Sequence, residues 1–211
     1  MITLEGIEGC GKSVQARLLS EELGTRGIPH VLTREPGGTA FGQSLRRILL
    51  TDDGIEREPI AELLLYLADR CQHVNQVVVP ALERGEWVIS DRYHDATLAY
   101  QGYARNLGLA RIDALAGDLD IRNPDVTILI DVDVELGLKR ALRRNAQEGE
   151  SVLGRFEAEE MEFHRRVREG YQVLLEREPA RFVCVDGSGT ELEVFGRVVS
   201  GLERFGLLEK M

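Results

Sequence analysis

Long apolar runs are missing from this 211-residue sequence, and cysteine and lysine are scarce. No stretch approaches the roughly 18 consecutive apolar residues of a membrane-spanning helix, so no membrane contact is expected. The opening Met1-Ile2-Thr3-Leu4-Glu5 lacks the basic segment and apolar run of a secretory leader, which makes a cytoplasmic protein the expectation. The cysteines Cys10, Cys71 and Cys184 are odd in number, far apart and without paired ligand spacing, so neither a disulfide framework nor a zinc site is expected. Repeats, low-complexity tracts and Pro/Ser-rich linkers are also missing, leaving one domain over residues 1–211. A net charge of −10 argues against a general nucleic-acid binder, which needs a basic face to displace counterions. Only Lys12, Lys139 and Lys210 are lysines; the remaining basic residues are arginines, the side chain suited to bidentate contact with phosphate or carboxylate.

What is present is an ordinary globular composition, 43% hydrophobic and 29% charged. Short β-rich runs recur at Met1–Glu5, His30–Thr33, Trp87–Ser90, Val126–Val132 and Arg181–Val185, separated by segments of helical period. Such alternation predicts an α/β fold with a parallel sheet covered on both faces. After Pro59, the spacing of Ile60, Leu63, Leu64, Leu67, Cys71 and Val74 predicts a helix with one continuous buried stripe. The polar segment Asn145–Leu153 reads as an exposed mobile loop between helices.

Gly6-Ile7-Glu8-Gly9-Cys10-Gly11-Lys12-Ser13 fits G-x-x-x-x-G-K-[ST] between a strand and a helix. In that context glycines let backbone N–H groups face phosphates at a helix N-terminus, Lys12 reaches the β/γ oxygens, and the Ser13 hydroxyl coordinates Mg²⁺. The loop implies a nucleoside triphosphate with Mg²⁺ without choosing among kinase, ATPase and GTPase.

Two further segments leave the carboxyl ends of strands, where open α/β sheets bind ligands: Thr33-Arg34-Glu35-Pro36-Gly37-Gly38-Thr39 and Asp91-Arg92-Tyr93. Asp91 is a candidate for holding Mg²⁺ through water and Arg92 for clamping a phosphate; a local Asp–Arg ion pair is the alternative. Tyr66 and Arg70 lie one helical turn apart, facing away from the apolar stripe, and suit stacking on a base and bonding its edge. An intrahelical cation–π pair is the other reading.

The phosphate loop, TREPGGT at 33–39, LYLADR at 65–70, DRYHDATLAYQG at 91–102, NPD at 123–125 and RFEAEEMEFHRRVREGY at 155–171 together resemble the thymidylate kinase family, over nearly the whole chain. The resemblance implies a P-loop nucleoside monophosphate kinase fold, a five-stranded parallel sheet flanked by helices with a mobile lid over roughly residues 140–156. It implies phosphoryl transfer from MgATP to dTMP and a homodimer. It places Tyr66 where the family usually has a Phe stacked on thymine, Arg70 at the base edge, Thr97 beside the base, and Tyr100 against the sugar 2′ position. Arg92 falls on the dTMP phosphate, Asp91 near Mg²⁺, and Glu8 facing the acceptor, where a solvated loop acid is the alternative. It also implies a cis Glu35–Pro36 bond.

The family divides by whether its catalytic arginine lies in the phosphate loop or in the lid. Gly9 takes the loop position here, so the resemblance implies a lid arginine from among Arg140, Arg143, Arg144 and Arg155, with Arg155 and Arg143 the candidates. A supplied arginine of this kind is worth roughly 10³ to 10⁵ in rate. Three positions depart from the family pattern: Gly154 for the lid Asp, Ala96 for a common Ser, and Val134 for the usual Pro. Two competing readings stay open at this point, a same-fold kinase for another monophosphate and a nucleotide-dependent switch. The absence of N-K-x-D counts against a GTPase switch.

Overall fold

The computed structural model describes residues 1–51, 53–147, 155–156 and 159–208. Five strands, β1 (Ile2–Glu5), β2 (His30–Arg34), β3 (Trp87–Asp91), β4 (Val126–Asp131) and β5 (Phe182–Asp186), form one parallel sheet in the order β2-β3-β1-β4-β5. Each lies within a residue or so of its expected place. β1 is buried throughout and β4 nearly so, as a strand covered on both faces must be, whereas the edge strand β2 is half exposed.

The helices are α1 (Lys12–Thr25), α2 (Ala40–Leu50), α3 (Pro59–His73), α4 (Val79–Glu83), α5 (His94–Thr97), α6 (Leu109–Asp118), α7 (Val134–Gln147), α8 (Met161–Arg177) and α9 (Glu191–Arg204). α3 runs into α4 through a π-helical turn, Val74–Val78, and α5 continues as a π-helical stretch, Leu98–Ala104. Wide turns of this kind concentrate at functional sites, and this one carries Tyr100. The chain leaves β1 toward β2 on one side and reaches β4 on the other, so β1 sits at the switch point whose carboxyl end opens a crevice.

Three expectations need correction. On α3, Leu63, Leu67 and Val74 are buried, but Leu64 is 53% exposed, because it stands about 100° around the helix from Leu63 and leaves the stripe. Arg70, expected to face away from the core, is itself only 1% exposed. A second layer, the Pro-Gly-Gly turn and the end of β3, covers that side of α3, as its bonds to Glu35 and Tyr93 show. α7 extends to Gln147, so residues 145–147 of the expected loop are helical. The rest of that segment, together with Gly154 and Glu157, lies outside the described residues.

Candidate functional site

The phosphate loop crosses the carboxyl end of β1 with Gly6, Gly9 and Gly11 all at positive φ. Gly9 is also fixed by contact: a Cβ there would stand 1.9 Å from the Gly137 carbonyl oxygen at the start of α7, and one on Gly137 would stand 2.6 Å from the Glu8 carbonyl oxygen. This close approach leaves no room for a side chain at position 9. Ile7 and Cys10 pack into the core beneath the loop. Lys12 folds its ammonium onto the loop, donating to the carbonyls of Gly6 (3.0 Å) and Ile7 (2.7 Å) and lying 3.4 Å from Cys10 Sγ.

Ser13 Oγ donates to Asp91 Oδ2 at 2.5 Å, bringing together the two residues expected at a metal. Arg92 does not pair with Asp91. Its Nη2 donates to Glu8 Oε1 (2.9 Å), its Nη1 lies 3.3 Å from the Gly6 carbonyl, and its guanidinium covers the Tyr100 ring at 5.0 Å. The backbone at Arg92 holds φ +70°, a conformation costly for a non-glycine residue and characteristic of functional sites. Glu8 is buried rather than solvated and also accepts from Tyr100 Oη at 2.6 Å. Burial pushes its pKa up, but His164, Arg92, Lys12 and Tyr100 outweigh burial and hold the carboxyl well below its ordinary value.

Arg70 Nε donates to Glu35 Oε2 (2.7 Å) and Nη2 to the Tyr93 carbonyl (2.9 Å), while its cation–π partner is Tyr93 and not Tyr66. His73 Nδ1 meets the other Glu35 oxygen at 2.7 Å. Burial raises the Glu35 carboxyl, but Arg70 and His73 lower it further than that. The Glu35–Pro36 bond is cis, and Asp69 Oδ1 accepts from Gly37 N (3.1 Å) to fix the turn. Among the described residues, Arg70 Nη1, Thr97 Oγ1 and Glu8 Oε2 are buried without a hydrogen-bond partner. Tyr66 sits near Glu62, Arg92, Arg155 and Glu8, all of which act on its hydroxyl after burial, which raises its pKa.

The lid arginines separate. Arg140 is tied to the carbonyls of Gly187 (2.9 Å) and Gly189 (3.1 Å), and Arg143 is exposed near the end of α7. Arg155, expected over ATP, is held elsewhere: Nη1 lies 3.3 Å from the Leu49 carbonyl and Nη2 donates to Glu62.

Sequence reasoning missed four contributors. Arg46 donates to the Pro36 carbonyl (3.0 Å), and burial, then the charges of Arg34 and Arg92, lowers its pKa. Glu62 and Gln101 meet at 2.8 Å. His164, wholly buried, brings Nδ1 to 3.4 Å from Glu8 Oε2. The only hint in the sequence was a charged or polar residue inside an otherwise apolar helical face, as with Glu62 in AELLLYL.

Behind the loop, Glu5 is fully buried and accepts from Tyr93 N (2.7 Å) and Tyr171 Oη (2.8 Å). Burial, aided by the charge of Asp95, pushes its pKa to about 8. The native chain therefore holds a proton that the unfolded chain has shed above its ordinary value of 4.5, so this group's contribution to stability declines as pH rises toward 8. Glu5→Gln is expected to remove that decline, narrowing the difference between urea midpoints measured at about pH 5 and about pH 8. An unchanged difference would show that Glu5 is ionised in the native state.

A phosphate loop at the sheet's switch point, a Ser–Asp pair beside it and an arginine, Arg92, that links the loop to the buried Glu8 and Tyr100 mark a P-loop nucleoside monophosphate kinase fold. The sequence model of thymidylate kinase matches residues 4–198. A thymidylate kinase from Desulfosudis oleivorans is 48% identical over 208 residues, covering 96% of each chain. One from Geobacter sp. is 51% identical over 189 residues, covering 89% of this chain and 84% of its own. The crystal structure of thymidylate kinase from Ehrlichia chaffeensis superimposes with a TM-score of 0.75 at 32% identity, covering 95% of this chain and 97% of that one. This chain belongs to the thymidylate kinase family. No helix among the described residues is long and apolar enough to cross a membrane.

Proposed function

We propose that this chain transfers the γ-phosphoryl group of ATP to the phosphate of dTMP, giving ADP and dTDP for dTTP synthesis, as a cytoplasmic homodimer. The observation that carries the reading is the junction at Arg92: one side chain binds the phosphate loop through Gly6 and Glu8 and covers Tyr100, the ring assigned to the acceptor sugar. Donor and acceptor sites of a phosphoryl transferase must adjoin in this way, because the reaction needs the attacking and leaving oxygens in line. A nucleotide-dependent switch has no use for the buried polar side chains Glu8, Arg70 and Thr97 gathered beyond the loop.

In this reading Lys12 and the backbone of residues 6–13 hold the ATP phosphates, and Arg92, with Arg46 nearby, neutralises the dTMP phosphate. Tyr66 stacks on thymine, Arg70 Nη1 bonds its edge, Thr97 lies beside it and Glu8 fixes Arg92. Ser13 and Asp91 offer the hard oxygen donors that suit Mg²⁺, which keeps several waters and takes its remaining ligands from phosphate. Mg²⁺ supplies charge neutralisation between the phosphates when bound. Arg143 is assigned to the transition-state charge.

Tyr100→Ala is expected to relax the preference for dTMP over its ribonucleotide counterpart by about tenfold, the size of discrimination one steric contact supplies. Competition kinetics with the two acceptors measure it, and an unaltered ratio would remove Tyr100 from the sugar site. The dimer reading rests on Phe41 and Ile48 of α2 and Leu64 of α3, apolar side chains about half exposed on two helices that pack together. Sedimentation giving a monomer at micromolar concentration would exclude it.

A further inference from the structure

We propose that Glu62 is a positioning residue of the acceptor site, anchoring the Arg155–Phe156 segment against Tyr100 so that the wall around the acceptor's sugar is held rigid. The inference rests on the reading of Tyr100 as that wall.

A carboxylate with no exposed surface, set in the apolar run AELLLYL, is costly unless it is paired. Glu62 has three partners. Oε1 accepts from Gln101 Nε2 at 2.8 Å and lies 3.5 Å from Arg105 Nε, and Oε2 accepts from Arg155 Nη2. These partners are not scattered. Gln101 follows Tyr100 in the chain and Arg155 precedes Phe156, so one carboxylate fixes the immediate neighbours of two rings. Those rings meet edge to face, with centroids 5.4 Å apart and planes at 90°. The same Tyr100 ring bears Arg92 on its face and donates its hydroxyl to Glu8, so a shift of Phe156 is transmitted to the groups that hold the acceptor.

The other bonds of the segment point the same way. Arg155 N donates to the Leu50 carbonyl at 3.1 Å, and Nη1 lies 3.3 Å from that of Leu49, stitching the segment to the end of α2. Arg105, the third partner, stacks on Phe163 at 4.4 Å and pairs with Glu159 just ahead of α8. Phe163 packs in turn against Phe156 and Tyr100. Glu62 is thus the common anchor of α3, the π-helical stretch and the approach to α8, in a place where it touches none of the groups assigned to ATP. Arg155 acts here through the ring beside it, and not as a cation on the transferring phosphate.

The test compares Glu62→Gln, Arg155→Gln and the double variant, with steady-state kinetics for dTMP, for its ribonucleotide counterpart and for ATP. Each single variant is expected to raise the KM for dTMP about tenfold and to lower the preference for dTMP over the ribonucleotide about tenfold, leaving the KM for ATP within about twofold. The double variant is expected to be no worse than the poorer single one, since both remove the same link. A general loss of stability would not alter the ratio between two acceptors. An unchanged ratio in both single variants, or losses that multiply in the double one, would overturn the proposal. If Glu62→Gln fails to fold, Arg155→Gln carries the test alone, because its guanidinium lies nearer solvent. Wild-type enzyme run alongside separates the two claims: no turnover of dTMP by it would refute the acceptor assignment itself, whereas active wild type with unaltered variants would refute only the role of Glu62.

Discussion

Arg92→Ala is expected to lower kcat/KM for dTMP by roughly 10³-fold while leaving ATP affinity within about twofold, since removing one preorganised donor from a phosphoryl site costs about 10² to 10³ and the buried Glu8 also loses its cationic hydrogen-bond donor. Arg92 follows β3 directly and takes φ +70°, with its N–H on the Leu4 carbonyl and its own carbonyl accepting from Ser90 Oγ at 2.7 Å. The guanidinium is thereby aimed across the end of β1 at Gly6, Glu8 and the Tyr100 face. Lysine restores little, because a compact ammonium has no planar fork to lie over the Tyr100 ring while its donors reach Glu8 and Gly6. Isothermal titration with ATP and steady-state assays with dTMP check both halves, and equal losses for the two nucleotides would move Arg92 to the shared phosphate path.

Lys12→Ala is expected to behave differently, losing about 10³-fold or more in kcat and weakening ATP binding together, because in the proposed function the ammonium holds the phosphates in both ground and transition states. In the structure it rests on the carbonyls of Gly6 and Ile7, within the loop it serves, so it needs only a side-chain swing to meet incoming phosphates. Its burial beside the loop means that loss of the charge is not made good by solvent cations. Nucleotide titration together with single-turnover transfer distinguishes this pattern from that of Arg92. Retention of ATP affinity in Lys12→Ala would assign the lysine to the transition state alone.

Much of this arrangement was legible in the sequence because it is local. The phosphate loop announces itself by spacing, and the strand ends carrying Asp91 and Arg92 are marked by a β-rich run followed by polar residues. The pairing of Ser13 with Asp91 follows once both strands are placed in one parallel sheet. What was not legible depends on how distant segments pack. Arg70 reads as an exposed residue from α3 alone and becomes buried only when the Pro-Gly-Gly turn closes over it. Leu64 reads as core from its neighbours, yet the helix turns it outward. Glu62 pairs with Gln101 and Arg155 across separations that no periodicity reveals, and Arg155 finds Glu62 rather than the phosphate site. His164 approaches Glu8 from α8, a helix whose placement over the loop is set by packing.

The central claim, transfer to dTMP in particular, is tested most directly by ADP release from MgATP with dTMP, dUMP, UMP, CMP, AMP and GMP supplied in parallel at equal concentration. The account predicts strong stimulation by dTMP, a weaker response to dUMP, which lacks the methyl group, and little from the ribonucleotides and purines. Equal stimulation by several of them, or none by dTMP, would contradict it.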